Sequence, residues 1–283
     1  RAVQDAHGLL VRTATISRQV IASIPQLEVV SRHGVGYDNV AIKSLTARGI
    51  PLALAIGSNA VSVAEHAMHL ILTLTKQTFL YHQAVRKGQF DFRQRPLSSN
   101  LEGKSILIIG FGRTGSRVAA RAAAFNMDLY AIDPYIDSNI IRRAGGTVVT
   151  DLRAILPQMD VVTIHCPRTL ETQGLMGRLE LDAMKTSAIL INTARGGIVN
   201  ETDLYEALYS GTIAGAGIDV FENEPADPQH PLLTLPNVVL SPHCAGVTRE
   251  SLVLMAQIAA QNVLDAFEGV LAAEMVANPE VLR

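Results

Sequence analysis

Three closely spaced glycines after an apolar segment constrain the fold of this chain more than any other feature of its sequence. The apolar residues 106–109 lead into Gly110, Gly112 and Gly115, and an amphipathic helical pattern follows at once. In a strand–turn–helix unit the first glycine permits a tight turn, the second lets a phosphate approach the backbone, and the third lets the helix lie close to the strand. The N–H groups at the start of such a helix carry partial positive charge. The pattern therefore predicts a parallel βα unit with an anion site at its turn.

The residues around this turn indicate which nucleotide it binds. The next strand pattern ends at Asp133, and a carboxylate at that place accepts hydrogen bonds from ribose hydroxyls and repels a 2′-phosphate. Pro134 and Tyr135 bring no cation to offset that charge, whereas Arg113 and Thr114 can add a charge and a hydroxyl to the phosphate site. The unit predicts NAD rather than NADP, with a ligand-free turn as the plainer alternative.

Short apolar runs alternate with helical patterns along the whole chain, which is typical of parallel sheets covered by helices. Candidate strands occupy residues 8–11, 27–30, 51–55, 105–109, 129–132, 147–149, 161–165, 188–192, 215–220 and 238–241. A long helix is expected after the third run, with a capping box at residues 62–65 and an apolar face on Val61, Ala64, Met68, Ile71 and Leu72. A final helix is expected at about residues 249–268, ending at Gly269.

Composition excludes several classes of function. The formal net charge is −2 with a pI of about 6.5, so the basic footprint of a nucleic-acid-binding protein is missing. The longest apolar stretch, residues 67–74, is too short to span a membrane, and the first residues lack the apolar region of a signal peptide. Cys166 and Cys244 lack the spacing of a zinc site or a disulfide framework, so we expect no metal and a reducing, cytoplasmic compartment.

Further motifs follow one another in order over nearly the whole chain. They are VRTAT at 11–15, GVGYDNV at 34–40, SVAEH at 62–66, GFGRTG at 110–115, HCP at 165–167, INTARGG at 191–197, GIDVFENEP at 217–225 and SPHCAG at 241–246. Together they resemble the D-isomer-specific 2-hydroxyacid dehydrogenase family, and its 3-phosphoglycerate dehydrogenase-like branch most closely. These are NAD-dependent oxidoreductases that interconvert a 2-hydroxy acid and its 2-keto acid.

The resemblance implies two doubly wound parallel α/β domains with a cleft between them. A Rossmann NAD-binding domain at 100–247 would be inserted in a discontinuous, flavodoxin-like substrate domain made of residues 1–99 and a C-terminal helix within 248–283. The polar, irregular stretch 87–103 fits a junction between the two. A homodimer formed largely through the nucleotide domain is also implied. The family usually has a few dozen more residues before the segment that opens here, so either the N-terminus of this sequence is incomplete or the substrate domain is short. Because the sequence stops at Arg283, we expect no C-terminal regulatory domain with serine feedback.

Three residues far apart in the sequence, Arg195, Glu224 and His243, each follow a strand-like run, and ligands of open α/β sheets bind beyond the carboxyl ends of the strands. Reduction of a keto acid needs a hydride at carbon and a proton at oxygen. A histidine supplies such a proton near neutral pH, and an adjacent carboxylate favours its protonated ring. An arginine holds a carboxylate with a bidentate fork. By resemblance, His243, Glu224 and Arg195 fill these roles.

The resemblance also implies roles for residues around these three. The cofactor would be contacted, besides Arg195 and His243, by Cys166, Thr193, Ala194, Gly246 and Asp219, of which Asp219 receives the nicotinamide amide. The backbone of Gly34, Val35 and Gly36 would turn N–H groups toward the substrate carboxylate, which is a nest in physical terms. Arg12 would meet the distal end of the substrate, with an ordinary surface arginine as the alternative.

Alternatives remain at several positions. Glu222 competes with Glu224 because both lie in one loop, and Glu224 is preferred for its place before Pro225. His66, His69 and His82 are interpreted as packing or interface residues of the long helix, and the two cysteines as packing residues rather than nucleophiles.

The function has alternatives as well. An NAD-sensing binding protein, like the co-repressors of the same family, is the main rival, and a formate or phosphite dehydrogenase is a third possibility. Arg12 and the pair Arg32-His33 favour a larger, acidic substrate such as phosphoglycerate, hydroxypyruvate or a sulfonated analogue.

Overall fold

The protein, described here as a computed structural model over residues 3–282, divides into two compact units. The part before Ala60 and the part after Gly246 form the first unit, and residues 60–246 form the second. Each unit contains one parallel sheet, so the predicted parallel α/β organisation is confirmed. The strands are β1 (Gly8–Val11), β2 (Val29–Arg32), β3 (Leu52–Leu54), β4 (Ser105–Ile109), β5 (Asp128–Ile132), β6 (Thr147–Val148), β7 (Val161–Ile164), β8 (Ile189–Asn192), β9 (Gly215–Ile218) and β10 (Val238–Leu240).

Helices cover both sheets and differ widely in length. The α-helices are α1 (Arg18–Ala22), α2 (Ile42–Thr46), α3 (Ala60–Thr75), α4 (Thr78–Arg86), α5 (Gly115–Ala124), α6 (Ser138–Arg143), α7 (Leu152–Ile155), α8 (Arg178–Asp182), α9 (Glu201–Tyr209) and α10 (Arg249–Phe267). Short 3₁₀ helices occupy Phe90–Gln94, Leu156–Gln158, Pro231–Thr234, Ala273–Met275 and Pro279–Val281. Within residues 3–282, no helix combines the length and the apolar character that crossing a membrane requires.

The smaller unit is built on the three-stranded sheet β1-β2-β3. Helix α10 packs against all three strands, and residues such as Ile21, Ile24 and Leu45 are fully buried on the sheet. The order of these strands in the sheet is their order in the chain, so within the described residues the smaller sheet winds in one direction. The double winding predicted for both domains is present in the larger sheet.

The larger sheet has the order β10-β9-β8-β7-β4-β5-β6, with every neighbouring pair parallel. Chain direction across the sheet reverses between β4 and β7, and ligands of such sheets bind at this switch point. All residues of β4, β7, β8 and β9 are buried, which explains why these strands appear in the sequence as continuous apolar runs.

Helix α3 belongs to the larger unit because it packs against β8, β9, β10 and α5. The larger unit therefore begins at Ala60, well before the predicted junction at residues 87–103. The helix also begins two residues earlier than the predicted capping box, so Ser62 is a buried residue of the first turn and not a cap. Val61 is 47% exposed, so its prediction as part of the apolar face is wrong.

The long helix predicted through His82 is two helices. Gln77 has a left-handed backbone with φ of 53°, which ends α3 and starts α4, so His82 lies on the shorter helix. Elsewhere the predicted strands and the final helix agree with the structure to within two residues at each end.

Candidate active site

The carboxyl ends of the parallel strands in the larger sheet carry most of the predicted site residues along one edge. They are Gly110 after β4, Asp133 after β5, Cys166 after β7, Thr193 after β8, Asp219 after β9 and His243 after β10. The fold therefore brings to one edge side chains that are far apart in the sequence.

The glycine turn between β4 and α5 is fixed by backbone contacts. Gly110 has φ of 90°, and a Cβ there would lie 2.6 Å from the backbone nitrogen of Cys166. A Cβ on Gly115 would overlap the carbonyl oxygen of Gly110. A Cβ on Gly112 would meet nothing within 4 Å, so this residue leaves the turn open to a ligand. Thr114 precedes α5 without capping it through its side chain, which leaves its hydroxyl for a phosphate.

Asp133 holds the glycine turn to the end of β5. One carboxylate oxygen accepts a hydrogen bond from the N–H of Phe111 at 2.8 Å, and the other accepts from the N–H of Tyr135 at 2.9 Å. The hydroxyl of Tyr135 bonds to Glu171, and this bond raises the pKa of Tyr135. A second carboxylate, that of Glu171, is therefore bonded to a residue two positions after Asp133.

Two buried polar atoms at the ends of β7 and β8 have no partner among the described residues. They are Nδ1 of His165 and Oγ1 of Thr193. Burial lowers the pKa of His165 to about 3, so its ring is neutral. The register that pairs Ile164 with Asn192 makes these residues neighbours. Polar atoms without a partner are costly in a protein interior, and the polar groups of a bound dinucleotide fit them.

The cysteines near this edge behave as packing residues. Cys166 is partly buried, and burial raises the pKa of its thiol to about 11. The pKa of Cys244 is also raised, by burial and then by the charge of Asp219. Both thiols are protonated at neutral pH and are poor nucleophiles.

Arg195 lies in a turn that the end of β8 organises. The side chain of Asn192 accepts a hydrogen bond from the N–H of Ala194 at 3.1 Å and donates one to the carbonyl of Arg195 at 3.0 Å. A Cβ on Gly196 would overlap the carbonyl oxygen of Phe221, so this turn contacts the next loop backbone to backbone. That contact brings the turn of Arg195 to the loop that carries Glu224.

Glu224 and His243 form the central pair of the site. One oxygen of Glu224 lies 2.6 Å from Nδ1 of His243, and the other accepts the N–H of Phe221 at 3.1 Å. Because Nδ1 is engaged, Nε2 is the ring nitrogen left for a substrate. Glu222 instead donates its backbone N–H to Glu201 at 2.6 Å, so the geometry favours Glu224 over Glu222 as the partner of His243.

The loop that carries His243 is wrapped around the carboxylate of Asp219. Asp219 has no exposed surface, and its oxygens accept hydrogen bonds from the hydroxyl of Ser241 at 2.6 Å and from the N–H groups of Cys244 and Ala245, both at 2.9 Å. Its carbonyl accepts the N–H of His243 at 2.7 Å. Asp219 therefore holds the loop in place, and its predicted contact with a nicotinamide amide stays a prediction.

Among the described residues, one group of metal-ligating side chains lies within 4.8 Å, consisting of His66, Asp219 and Cys244. The oxygens of Asp219 already accept three hydrogen bonds from the protein, so hydrogen bonding explains why these side chains lie together. Gly246 ends the same loop and is partly buried.

A cavity of about 380 Å³ adjoins the Glu224–His243 pair on the side of β10. Its remaining wall is largely apolar and is formed by Phe221, Pro225, Ala226, Leu233, Leu240, Ser241 and Pro242. The described lining residues include no lysine or arginine, so this wall offers no positive charge to an acidic group.

The predicted substrate residues of the smaller unit lie together in that unit. Arg12 is exposed just after β1, and the loop Gly34-Val35-Gly36 follows the neighbouring strand β2. Gly34 has φ of 132°, a conformation that favours glycine. Arg32 supports this loop, because its Nη1 donates to the carbonyl of His33 at 2.9 Å.

Residues 68–245 match the model of the D-isomer specific 2-hydroxyacid dehydrogenase NAD binding domain. The chain belongs to this family. It is 38% identical over 282 residues to D-3-phosphoglycerate dehydrogenase of Archaeoglobus fulgidus, covering 99% of this chain and 53% of the relative. It is 36% identical over 285 residues to glyoxylate reductase of Korarchaeum cryptofilum, covering 99% of this chain and 85% of that protein. It spans about half the length of the phosphoglycerate dehydrogenases it matches.

Solved structures support the same assignment. D-Lactate dehydrogenase from Aquifex aeolicus, complexed with NAD and lactic acid, superposes with a TM-score of 0.89 at 27% identity, covering 98% of this chain and 88% of that one. The resemblance inferred from the ordered motifs is therefore confirmed. The rival interpretation as a cofactor-sensing binding protein finds no support among these members of the family.

Sequence reasoning missed the residues that position the predicted ones. Asn192 and Gly196 stand inside a quoted motif, yet their partners lie on other segments. Ser241 also stands in a motif, and its partner Asp219 was predicted for a different role. The sequence signal that could have identified Asn192 and Ser241 is a polar residue at or just after the end of a strand.

Proposed function

We propose that this chain catalyses the NAD-dependent interconversion of a D-2-hydroxy acid and its 2-keto acid. The observation that carries the proposal is the 2.6 Å contact between Nδ1 of His243 and Glu224, at the sheet edge that also carries the glycine turn. A histidine held by a carboxylate is a proton carrier suited to a carbonyl–alcohol conversion.

His243 would donate a proton from Nε2 to the carbonyl oxygen during reduction and accept it back during oxidation. Glu224 fixes the orientation of the ring and balances its positive charge. Arg195 would hold the substrate carboxylate and polarise the carbonyl. When bound, the nicotinamide supplies or accepts the hydride.

The dinucleotide would lie along the carboxyl edge of the larger sheet. The residues proposed to hold it are Gly110, Gly112, Arg113, Thr114, Gly115, Asp133, Cys166, Thr193, Ala194, Arg195, Asp219, His243 and Gly246. The open face of Gly112 and the unpartnered hydroxyl of Thr193 support this fit. Asp133, with Glu171 near it, supports NAD rather than NADP, since both carboxylates repel a 2′-phosphate.

The substrate is proposed to be a small 2-hydroxy acid. Gly34, Val35 and Gly36 would direct N–H groups to its carboxylate, and Arg12 would meet its far end. The names of the relatives suggest 3-phosphoglycerate, glyoxylate and hydroxypyruvate as the first compounds to test. Arg12 favours an acidic far end, while the cavity beside His243 has an apolar wall.

We also propose a homodimer in the cytoplasm. Large apolar side chains of α4 and the segment after it are exposed on the larger unit, namely Phe79, Leu80, Val85, Phe90 and Leu97. A second copy would cover such a patch in an isologous interface. The two free cysteines fit a reducing compartment.

The test is an assay of NADH oxidation with a panel of 2-keto acids, followed by the reverse reaction with NAD and the D and L hydroxy acids. We expect turnover of at least one keto acid, preference for the D product, and a loss of about 10²- to 10⁴-fold in kcat in His243→Gln. No loss of NADH absorbance with any member of the panel would contradict the proposal.

A further inference from the structure

Helix α3 approaches β9 closely because glycines of the strand face it. A Cβ on Gly215 would lie 3.2 Å from the side chain of Leu74, and a Cβ on Gly217 would lie 2.9 Å from the side chain of Leu70. A side chain at Gly217 would therefore push the helix away. The two glycines set the distance between helix and strand.

The same register continues to Asp219. Residues four apart on a helix are separated by about 6 Å along its axis, and residues two apart on a strand by about 6.6 Å. Leu74 faces Gly215 and Leu70 faces Gly217, so His66 is the next helix residue in line with Asp219. The structure agrees, since Nε2 of His66 lies 3.9 Å from a carboxylate oxygen of Asp219.

Between His66 and Asp219 lies the hydroxyl of Ser241. Nε2 of His66 is 2.9 Å from this oxygen, which is itself 2.6 Å from the carboxylate of Asp219. The carboxylate can only accept, so the hydroxyl proton goes to Asp219, and Ser241 must accept from Nε2–H of His66. The pKa of His66 is lowered, mainly by burial and against the attraction of Asp219. His66 is therefore a neutral ring with its proton on Nε2.

The loop held in this way is the one that carries His243. His243 has φ of 52°, a left-handed conformation that is strained for a non-glycine residue. The loop keeps this shape because Ser241, Cys244 and Ala245 all donate to the carboxylate of Asp219. His66 is the helical side chain that fixes the hydroxyl at the start of the loop.

We propose that His66 is a positioning residue for His243. Its Nε2–H holds Ser241 against Asp219, and this chain of hydrogen bonds transfers the rigid placement of α3 to the loop that presents the His243 ring. The proposal rests on the proposed function, because the consequence for turnover follows from the role of His243 as proton carrier. His66 itself does not touch the substrate.

The test compares three single variants in the full chain. His66→Leu removes the donor at similar volume, and His66→Gln keeps an N–H donor near the position of Nε2. His69→Leu is the matched control, since His69 is an exposed residue of the same helix whose ring contacts that of His66, with centroids 5.7 Å apart, but is not hydrogen-bonded to Ser241 or Asp219. For each variant, kcat, KM, the Kd of NADH and Tm are measured.

We expect kcat of His66→Leu to fall about tenfold to a hundredfold, because a small misplacement of a catalytic group has effects of that size. KM and the Kd of NADH should change by less than about threefold, and His66→Gln should recover most of the lost kcat. His66→Leu with unchanged kcat would overturn the proposal. A fall in kcat that follows Tm and is not rescued by His66→Gln would overturn it too, since that pattern marks a purely structural role.

A second measurement does not depend on turnover. In protein labelled with ¹³C at the histidine ring, the Cε1–H signal of His243 is assigned by its loss in His243→Gln. We expect this signal to shift in His66→Leu, to return toward its original position in His66→Gln and to stay in place in His69→Leu. An unmoved signal in His66→Leu contradicts the positioning role. If the wild-type protein reduces no keto acid but the signal shifts as expected, the proposed function fails while the positioning of His243 stands.

Discussion

At the scale of single residues, the pairing of Glu224 with His243 gives a direct prediction. Replacing Glu224 with Gln removes the negative charge that balances the protonated ring while keeping a similar shape. We expect kcat to fall about tenfold to a hundredfold, less than the roughly 10²- to 10⁴-fold contribution of a whole acid–base group, because His243 itself is retained. Steady-state kinetics with the best keto acid of the panel measures this.

The matched control for this prediction is Glu222→Gln. Glu222 lies in the same loop and is exposed, but its backbone N–H pairs with Glu201 and its side chain is not paired with His243. We expect kcat to stay within about twofold of the wild-type value. Equal losses in the two variants would mean that the loop as a whole, and not the carboxylate of Glu224, matters to the reaction.

Asp133 gives a second prediction at this scale, for the choice of cofactor. Asp133→Asn removes the charge that repels a 2′-phosphate but keeps one oxygen acceptor for the glycine turn. We expect the ratio of kcat/KM for NADPH to that for NADH to rise by about tenfold or more, since 1.4 kcal/mol is tenfold. Asp128→Asn, at the other end of β5, is the control and should leave the ratio unchanged. An unaltered ratio in Asp133→Asn would assign the selectivity to another group.

At this scale the sequence carries signals for candidate site residues but not for the residues that support them. Arg195, Glu224 and His243 are candidates because each stands in a motif to which the family resemblance assigns a chemical role, and those roles stay predictions. His66 was interpreted as a packing or interface residue, and its bond to Ser241 on a distant segment could not be seen. A hydrogen bond between segments that meet only in the folded protein leaves no periodic signal in the sequence.

At the scale of elements, the interiors of strands and helices were predictable and the helix starts were not. Strands of the larger sheet are buried on both faces and so form apolar runs in the sequence. The capping box at residues 62–65 was a local pattern that the packing of α3 overrides. The break at Gln77 was missed because a left-handed backbone is expected at glycine or asparagine, and glutamine gives no such sign.

The contact between α3 and β9 predicts an effect of Gly217→Ala. The added Cβ would lie 2.9 Å from Cβ of Leu70, so helix and strand must separate. We expect a loss of about 1–3 kcal/mol in the free energy of unfolding, as is common for overpacked cores. Denaturant titration followed by circular dichroism measures it. Activity should fall as well, because displacement of α3 moves His66 away from Ser241.

Leu70→Gly in the Gly217→Ala background tests whether crowding at Cβ of Leu70 causes the loss. Removing the whole side chain, Cβ included, should restore part of the lost activity, even though a glycine inside a helix and a smaller core residue both lower stability. Recovery of kcat without recovery of Tm is the expected result. If the double variant is no more active than Gly217→Ala, the distance between helix and strand does not control the site.

At the scale of the whole molecule, the number of units was predictable and their boundary was not. Glycine turns, apolar runs and motif order indicate two α/β parts, but a polar, irregular stretch is only an indirect sign of a boundary. The larger unit begins at Ala60 because α3 packs on β8 and β9. Which sheet a helix covers depends on three-dimensional packing, and its own amphipathic pattern does not specify the partner.

The stability of the larger unit should depend on pH through buried histidines. Burial lowers the pKa of His165 to about 3 from the ordinary value of about 6.5. Between these values the unfolded chain binds a proton that the folded protein does not, so stability rises with pH, is complete above the unfolded value and is lost as pH falls below it. The loss from this residue should be about 2 kcal/mol between pH 7 and pH 5. His66, whose pKa is also lowered, contributes with the same sign.

Denaturant unfolding at several pH values from 7 to 5 tests this dependence, and comparison with His165→Gln isolates the contribution of this histidine. The pKa of Asp160 is also lowered: its burial acts in the opposite direction but is outweighed by hydrogen bonds from Ser105 and Lys185. Its contribution is lost only below the ordinary range of an aspartate, near pH 4, and so lies outside this window. In His165→Gln the slope of stability against pH should decrease by about one proton. The exposed His82→Gln should keep the wild-type slope, and an equally steep slope in His165→Gln would show that other groups govern acid unfolding.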